Sequence, residues 1–290
     1  MDYQEKFVQR DEHRIYVRDY PGAEPTITLM HGLPDNVHLY DRLYPHLSPP
    51  RRVVAFDFLG WGSSDKPSGY PYTADNQVGD LDAVITELGL EQFTLVAHDA
   101  SGPPAIDWAL AHPERLAGLV LLNTYYCEMP TLRAPEAVWL FSTPVVRNIA
   151  RPVAEMFGNS IMRRVFRWQV GKFFRDEKVR REFVPLLYQQ FDATPSALPA
   201  FFGLNADLLP AVRARTAMIP QMKKFRRPAR IIFGDADPYL NRGVAQKFHE
   251  LFPGSELFLI PTARHFVQMD EPEQVAKLIL ELPHARRDQG

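Results

Sequence analysis

Short apolar runs alternate with helical patterns along most of the chain. The runs are rich in β-branched residues and contain few polar positions, which is typical of strands buried on both faces of a parallel sheet. They occupy residues 7–9, 14–18, 26–30, 52–56, 93–97, 116–122, 230–233 and 256–260, the first two as a hairpin. Helices are predicted at about 73–88, 104–111 and 272–282. The pattern therefore predicts an α/β fold with a mostly parallel central sheet flanked by helices.

The alternation is interrupted between about residues 128 and 213. This segment has no strand pattern, and it contains eight prolines and 12 basic against 8 acidic residues. Its proline and aromatic content predicts several short helices inserted into the sheet. We therefore expect residues 1–127 and 214–290 to form the α/β core and residues 128–213 to form a helical insertion.

Composition and charge exclude several classes of protein. The chain has 290 residues, a net charge of −2 and one cysteine, which excludes a disulfide scaffold and a strongly basic nucleic-acid-binding protein. No stretch approaches the roughly 18 apolar residues that cross a bilayer, and the first residues lack a signal-peptide pattern. We expect a cytoplasmic protein that acts on a small molecule, with no nucleic-acid or membrane partner. The sequence does not specify an oligomeric state.

The junction between a strand and a helix at residues 95–104 carries a candidate nucleophile. A tight strand-to-helix turn needs small residues two positions before and after its apex, because the backbones there nearly touch. Asp99 at the apex would be flanked by Ala97 and Ser101, which are both small. Ser101 at the apex would be flanked by Asp99 and Pro103, which fit badly. The pattern favours Asp99 as an exposed nucleophile over Asp99 as a helix cap.

Three motifs resemble the α/β-hydrolase superfamily, in particular its aspartate-nucleophile branch of epoxide hydrolases and haloalkane dehalogenases. They are His31-Gly32-Leu33-Pro34, the loop at residues 57–67, and His98-Asp99. The resemblance covers nearly the whole chain outside the insertion. It implies that the insertion is a helical cap over the active site. It also implies that the backbone N–H groups of Leu33 and Ala100 form an oxyanion hole.

The same resemblance implies the other two members of a catalytic triad. The acid matches Asp237, which follows the strand at 230–233, and Glu128 is the alternative acid. Asp235 is interpreted as a turn residue. The base matches His265, which follows the last strand, whereas His98 is interpreted as a packing residue. No metal site is expected, because the pair of aspartates at 235 and 237 is too short a signal for one. No cofactor is expected either.

An aspartate nucleophile determines the expected chemistry. It is ionised at neutral pH and can displace a leaving group from a saturated carbon to give an enzyme–substrate ester. His265, oriented by Asp237, would then activate a water molecule that hydrolyses the ester.

The leaving group could be a halide or an epoxide oxygen, and the two need different side chains. Halide-binding side chains are missing from two positions where dehalogenases carry them, because Ala100 and Leu33 have no side-chain donor. Trp139 or Trp168 of the cap could line the pocket and supply one indole N–H group.

An epoxide oxygen would instead need a tyrosine hydroxyl. Tyr188 is the first candidate, and Tyr125 and Tyr126 are further ones, although each could equally be a packed tyrosine at the cap interface. We expect an epoxide hydrolase that converts small to medium apolar epoxides and water to diols, without a cofactor. The alternatives are a haloalkane dehalogenase-like hydrolase and a non-catalytic receptor for a small ligand.

Overall fold

The computed structural model describes residues 2–157 and 160–283. Within them, eight strands form one sheet: β1 (Gln4–Arg10), β2 (His13–Tyr20), β3 (Thr26–Met30), β4 (Val53–Phe56), β5 (Phe93–Asp99), β6 (Leu116–Thr124), β7 (Ala229–Gly234) and β8 (Ser255–Ile260). Their order in the sheet is β1-β2-β4-β3-β5-β6-β7-β8. The pairs β1-β2 and β2-β4 are antiparallel, and the five pairs from β4-β3 to β7-β8 are parallel. The predicted α/β fold with a mostly parallel sheet is confirmed.

Twelve helices are present within the same residues. They are α1 (Tyr44–Leu47), α2 (Ala74–Glu87), α3 (Gly102–Ala111), α4 (Glu136–Ser142), α5 (Pro144–Phe157), α6 (Ser160–Gly171), α7 (Glu177–Asp192), α8 (Leu198–Arg215), α9 (Ile219–Met222), α10 (Arg242–Leu251), α11 (Val267–Asp270) and α12 (Pro272–Leu280). Helices α4 to α8, here called the cap helices, are inserted between β6 and β7. The described part of this insertion contains helices and no strand, as predicted. The domain boundaries at 128 and 213 stay a prediction.

Local sequence accounts for where the predicted helices begin and end. Thr73 caps α2, because its side-chain oxygen accepts a hydrogen bond from the Asn76 N–H group. Gly89 then follows the helix with a φ of 61°, a conformation that favours glycine. Helix α10 was not predicted, although Val244, Phe248 and similar apolar residues give it a buried face with helical spacing.

The carboxyl ends of the parallel strands lie at one edge of the sheet, so the loops that follow β3, β5, β6, β7 and β8 converge there. Gln190 of α7 attaches the cap helices to this edge. Its amide group donates to the carbonyl oxygen of Pro34 at 2.9 Å and accepts from the N–H group of Gly62 at 2.9 Å. In the described ranges, no helix has the length and apolar composition needed to cross a membrane.

Candidate active site

Asp99 lies at the apex of the turn between β5 and α3. Its φ of 49° is in the left-handed region, which non-glycine residues rarely adopt. The turn fits only because its neighbours are small: a Cβ atom at Gly32 would lie 2.6 Å from the Asp99 Cβ atom, and one at Gly102 would lie 1.9 Å from Thr124 Oγ1. The Thr124 hydroxyl donates to the Asp99 carbonyl oxygen at 2.5 Å. This packing holds the carboxylate of Asp99 at the carboxyl edge of the sheet.

Ser101 is buried beneath this turn. Its hydroxyl oxygen accepts from the His98 N–H group at 2.9 Å and lies 2.9 Å from the carbonyl oxygen of Met30 and 2.8 Å from that of His98. The hydroxyl therefore stabilises the backbone of the turn and does not face the cavity. The arrangement matches the turn with Asp99, and not Ser101, at its apex.

Asp237 and His265 lie next to Asp99. The Nδ1 atom of His265 is 2.9 Å from Asp237 Oδ2, and its Nε2 atom is 4.0 Å from Asp99 Oδ1. The second oxygen of Asp237 accepts from the backbone N–H groups of Tyr239 and Leu240 at 2.9 and 3.2 Å. The three side chains that the sequence singled out as a triad are thus brought together.

Two backbone N–H groups bond the carboxylate of Asp99. Leu33, which follows β3, donates to Asp99 Oδ2 at 3.0 Å, and the N–H group of Ala100 also bonds the carboxylate. His31 fixes the loop that carries Leu33: its Nδ1 lies 2.8 Å from the Gly32 carbonyl oxygen, and its Nε2 accepts from the Phe58 N–H group at 3.1 Å. One carboxylate oxygen therefore occupies the predicted oxyanion position, and the other faces His265.

Asn123 is a site residue that sequence reasoning missed. It is the penultimate residue of β6 and has a φ of 24°. Its amide group donates to Asp237 Oδ2 at 3.0 Å and accepts from the Gly234 N–H group at 2.7 Å. It therefore fixes the carboxylate that faces His265. The available signal was a polar residue at the carboxyl end of a buried strand, beside the strand of the proposed nucleophile.

His98 and Asp35 form a buried pair behind the triad. His98 Nε2 lies 3.0 Å from the carbonyl oxygen of His265, so it must carry the proton, and its Nδ1 lies 3.8 Å from Asp35 Oδ2. Burial lowers the pKa of His98 well below its usual range. Burial, followed by the charge of Asp99, raises the pKa of Asp35 to about 8. His98 thus positions the loop of His265, a role beyond the packing that the sequence indicated.

The electrostatics of the triad follow from burial and mutual charge. Burial raises the pKa of Asp99. Burial acts to lower the pKa of His265, but the charge and hydrogen bond of Asp237, together with the charges of Asp99 and Asp35, raise it to about 9. The pKa of Asp237 is lowered, because the His265 charge and its hydrogen bonds outweigh burial. At neutral pH these shifts favour an imidazolium at His265 beside an ionised Asp237.

A cavity opens above Asp99 between the sheet edge and the cap helices, and its lining is mainly apolar. Tyr125 lines it, and burial and the charge of Asp99 keep the pKa of this hydroxyl well above its usual range. Tyr239 and Gln169 also line it, but Gln169 donates to the Tyr239 hydroxyl at 3.1 Å and that hydroxyl donates to Glu136 at 2.6 Å. Of these two tyrosines of the cavity lining, Tyr125 is therefore the one whose hydroxyl forms no hydrogen bond within the described residues.

Trp139 and Trp168 do not line this cavity. Both side chains are more than half exposed and lie beside a hollow on the outer surface. The prediction that they line the pocket was wrong, because the buried face of α4 carries Ala137 and Phe141 instead.

The other candidate side chains also lie away from Asp99. Tyr126 donates to Asp107 at 2.6 Å beneath the cap helices, and Tyr188 is a half-buried residue of α7 outside the cavity lining. Glu128 is exposed, and its nearest cation is Arg213 at 3.9 Å. These three predictions were wrong, because neither hydroxyl reaches the cavity and Glu128 does not contact His265.

Comparison with known families accounts for this arrangement. The family described as alpha/beta hydrolase fold matches residues 25–272, which include every residue of the triad. The chain belongs to this family. Among the described residues of this hydrolase, no group of three or more His, Cys, Asp or Glu side chains is arranged to hold a metal ion.

The hydrolase is similar to dehalogenases in sequence. It is 26% identical over 282 residues to haloalkane dehalogenase 2 of Mycobacterium tuberculosis. The alignment covers 96% of this chain and 94% of the relative. The structure of haloalkane dehalogenase DbeA from Bradyrhizobium elkani matches 96% of this chain and 98% of its own, with a TM-score of 0.78 and 21% identity. An epoxide hydrolase from Vigna radiata matches 96% and 97%, with a TM-score of 0.76 and 22% identity. These two structures share the fold. The chain is thus a haloalkane dehalogenase-like α/β hydrolase.

Proposed function

We propose that this hydrolase opens apolar epoxides to diols through a covalent ester on Asp99. The observation that carries the proposal is a pair of groups that line the same cavity. Asp99 offers an ionised oxygen, and the Tyr125 hydroxyl lines the same cavity without a hydrogen-bond partner among the described residues. A hydroxyl of high pKa stays protonated and can donate to an oxygen anion.

In the first step, Asp99 Oδ1 attacks one ring carbon of the epoxide. A carbon–oxygen bond forms to Asp99, and the ring carbon–oxygen bond breaks on the opposite side. The ring oxygen leaves as an alkoxide, which accepts a hydrogen bond from Tyr125 and takes its proton from water. The product of this step is a neutral ester at Asp99.

The ester then changes the state of His265. Its formation removes a negative charge 4.0 Å from Nε2, and that charge is one of the causes that raise the pKa of His265. The pKa of His265 therefore falls in the intermediate, and the imidazolium gives its proton to the hydroxide that the first step leaves. The neutral ring can then act as a base.

In the second step, His265 takes a proton from water, and the hydroxide attacks the Asp99 carbonyl carbon. Negative charge develops on Oδ2, to which the Leu33 N–H group donates, and the Ala100 N–H group also bonds this carboxyl group. The tetrahedral intermediate collapses, and the diol oxygen leaves with the proton of His265. The proton that remains on the Asp99 carboxyl group then passes to the neutral ring, which restores the carboxylate and the imidazolium of the free enzyme.

A haloalkane substrate is the second candidate, and the sequence comparisons favour it over an epoxide. The dehalogenase from Mycobacterium tuberculosis aligns over 96% of this chain. The same ester would form with halide as the leaving group. The cavity lining contains neither tryptophan nor asparagine, the side chains expected to bind a halide, and its side-chain donors are Tyr125, Tyr239, Gln169 and Arg133.

Intact-protein mass spectrometry of a His265→Ala variant tests the proposal. The variant would be incubated separately with an aryl epoxide and a bromoalkane, and Asp99→Ala in the same background would be the control. A mass gain equal to the whole epoxide, mapped to Asp99, is expected. A gain of the alkyl group alone with release of bromide would replace the epoxide by the halide, and no adduct with either compound would contradict the ester mechanism.

A further inference from the structure

Large apolar side chains are exposed together on the cap helices. The exposed fractions are 61% for Trp139 and 37% for Leu140 on α4, 70% for Val145 and 65% for Ile149 on α5, and 55% for Trp168 on α6. Among the described residues, only Phe7 and Leu209 are comparably exposed elsewhere. Helix α4 packs against both α5 and α6. We call these five residues the tryptophan face. Trp139, Leu140 and Trp168 line one surface hollow, and contiguous exposed apolar surface is typical of interaction sites.

The tryptophan face adjoins the active-site cavity. Trp139, Leu140 and Trp168 line a surface hollow together with Ala134 and Ala137. These two alanines also line the cavity above Asp99. A ligand that leaves the tryptophan face could therefore reach the cavity along a short apolar path.

Positive charge surrounds the same helices. Residues 133–172 contain seven Lys and Arg against two Glu, in a chain whose net charge is −2. Arg164 lies one helical turn before Trp168 on α6, which places the two side chains on one side of that helix. Lys172 lies 3.9 Å above the Trp168 ring. Arg133, Arg164 and Arg167 form no ion pair within the described residues.

We propose that the tryptophan face binds to the surface of an anionic lipid bilayer. Tryptophan side chains favour the membrane–water interface, and neighbouring Lys and Arg side chains are attracted to anionic headgroups. A symmetric contact with a second copy would instead place two sets of these cations against each other, which disfavours self-association through this face. An apolar substrate dissolved in the bilayer would then enter the cavity from that side.

Co-sedimentation with lipid vesicles tests the proposal without requiring turnover, so its result is independent of the proposed reaction. Vesicles of equal parts phosphatidylglycerol and phosphatidylcholine would be compared with vesicles of phosphatidylcholine alone. We expect the protein to bind the anionic vesicles, and the binding to weaken as salt is added.

Two double variants and two matched controls locate the binding surface. Trp139→Ser with Trp168→Ser, and Arg164→Gln with Arg167→Gln, should each reduce the partition coefficient about tenfold or more, since each basic residue near such a surface is worth roughly a fivefold effect. Phe7→Ser removes an exposed aromatic residue from β1, and Lys223→Gln with Lys224→Gln removes two exposed cations at the end of α9. Both controls should stay within about twofold of the wild type.

The substituted side chains are exposed, so the variants should fold; equal thermal unfolding midpoints would verify this. Wild-type protein that stays in the supernatant with anionic vesicles would overturn the proposal. So would controls that lose binding as strongly as the cap variants. A dimer in solution that the tryptophan variants disrupt, without vesicle binding, would assign the face to a second copy instead.

Discussion

The floor and the roof of the cavity are built on different principles. On the floor, Asp99, Asp237 and His265 are fixed by hydrogen bonds from backbone groups and from Asn123 at the ends of parallel strands. The roof consists of helices whose contribution to the cavity is mostly apolar. In the proposed reaction, the floor therefore makes and breaks the bonds, whereas the roof selects the molecules that reach it.

The two regions also differ in how they hold charge. The carboxylates of the floor are buried but lie against an imidazolium, so each pKa depends on the charge of its neighbours. In the roof, Glu136 interacts with Lys172 and Tyr239 near solvent. A change on the floor should thus alter the rate of a chemical step, and a change in the roof should alter the preference between substrates.

The largest expected effect is a difference in ester hydrolysis between variants of two aspartates of one loop, Asp237 and Asp235. Asp237→Asn removes the charge that stabilises the His265 imidazolium, so hydrolysis of the Asp99 ester should slow by about 10³- to 10⁴-fold. Ester formation should change much less, because Asp99 needs no base to attack. Rapid-quench mass spectrometry, which follows the ester with time, would measure both steps.

Asp235→Asn is the matched control for this prediction. Asp235 lies two residues earlier and pairs with Arg242, with 2.9 Å between its Oδ1 and the Arg242 Nε. Turnover of this variant should remain within about twofold of the wild type. If the two variants were equally impaired, the floor would not depend on the position of Asp237 as we describe.

A smaller effect is expected where the roof meets the floor. Tyr125→Phe should lower epoxide turnover by about 10- to 100-fold, because the alkoxide loses its hydrogen-bond donor. Turnover of a bromoalkane should not fall, since bromide leaves without a proton. Steady-state kinetics of both substrates on the same variant would show the difference.

Tyr188→Phe is the control, since this tyrosine of α7 lies outside the cavity lining. Its turnover should match that of the wild type for both substrates. Loss of activity in Tyr188→Phe with none in Tyr125→Phe would assign the donor to a different part of the roof.

The floor was more accessible to sequence reasoning than the roof. Asp99 could be identified because a strand-to-helix turn permits only small neighbours, a local rule that Ala97 and Ser101 satisfy. Asp237 and His265 were implied by the resemblance to the α/β-hydrolase superfamily, and they lie next to Asp99 because parallel strands end at one edge of the sheet. The Asp237→Asn variant tests the proposed catalytic role of this residue.

The roof depends on how helices pack against one another, and helical spacing alone does not specify that. Tyr125 and Tyr188 are both tyrosines near apolar residues, yet only Tyr125 lines the cavity. Trp139 and Trp168 were expected inside and are exposed. Asn123 was missed for a related reason, since its contact with Asp237 joins residues more than a hundred positions apart.

The smallest expected effect is a pH dependence that distinguishes the two steps on the floor. In the free enzyme the carboxylates raise the pKa of His265 to about 9, above its usual value of about 6.5. In the ester, Asp99 carries no charge, so the pKa of the same imidazole should be lower. Hydrolysis of the ester needs the neutral ring. Its rate should therefore rise with pH and level off below about pH 9, changing less than about tenfold from pH 7 to pH 9.

Single-turnover measurements across this range would give the kinetic pKa, and NMR titration of the imidazole would give the value in the free enzyme. A kinetic pKa equal to or above the free-enzyme value would contradict the coupling between the charge of Asp99 and the basicity of His265.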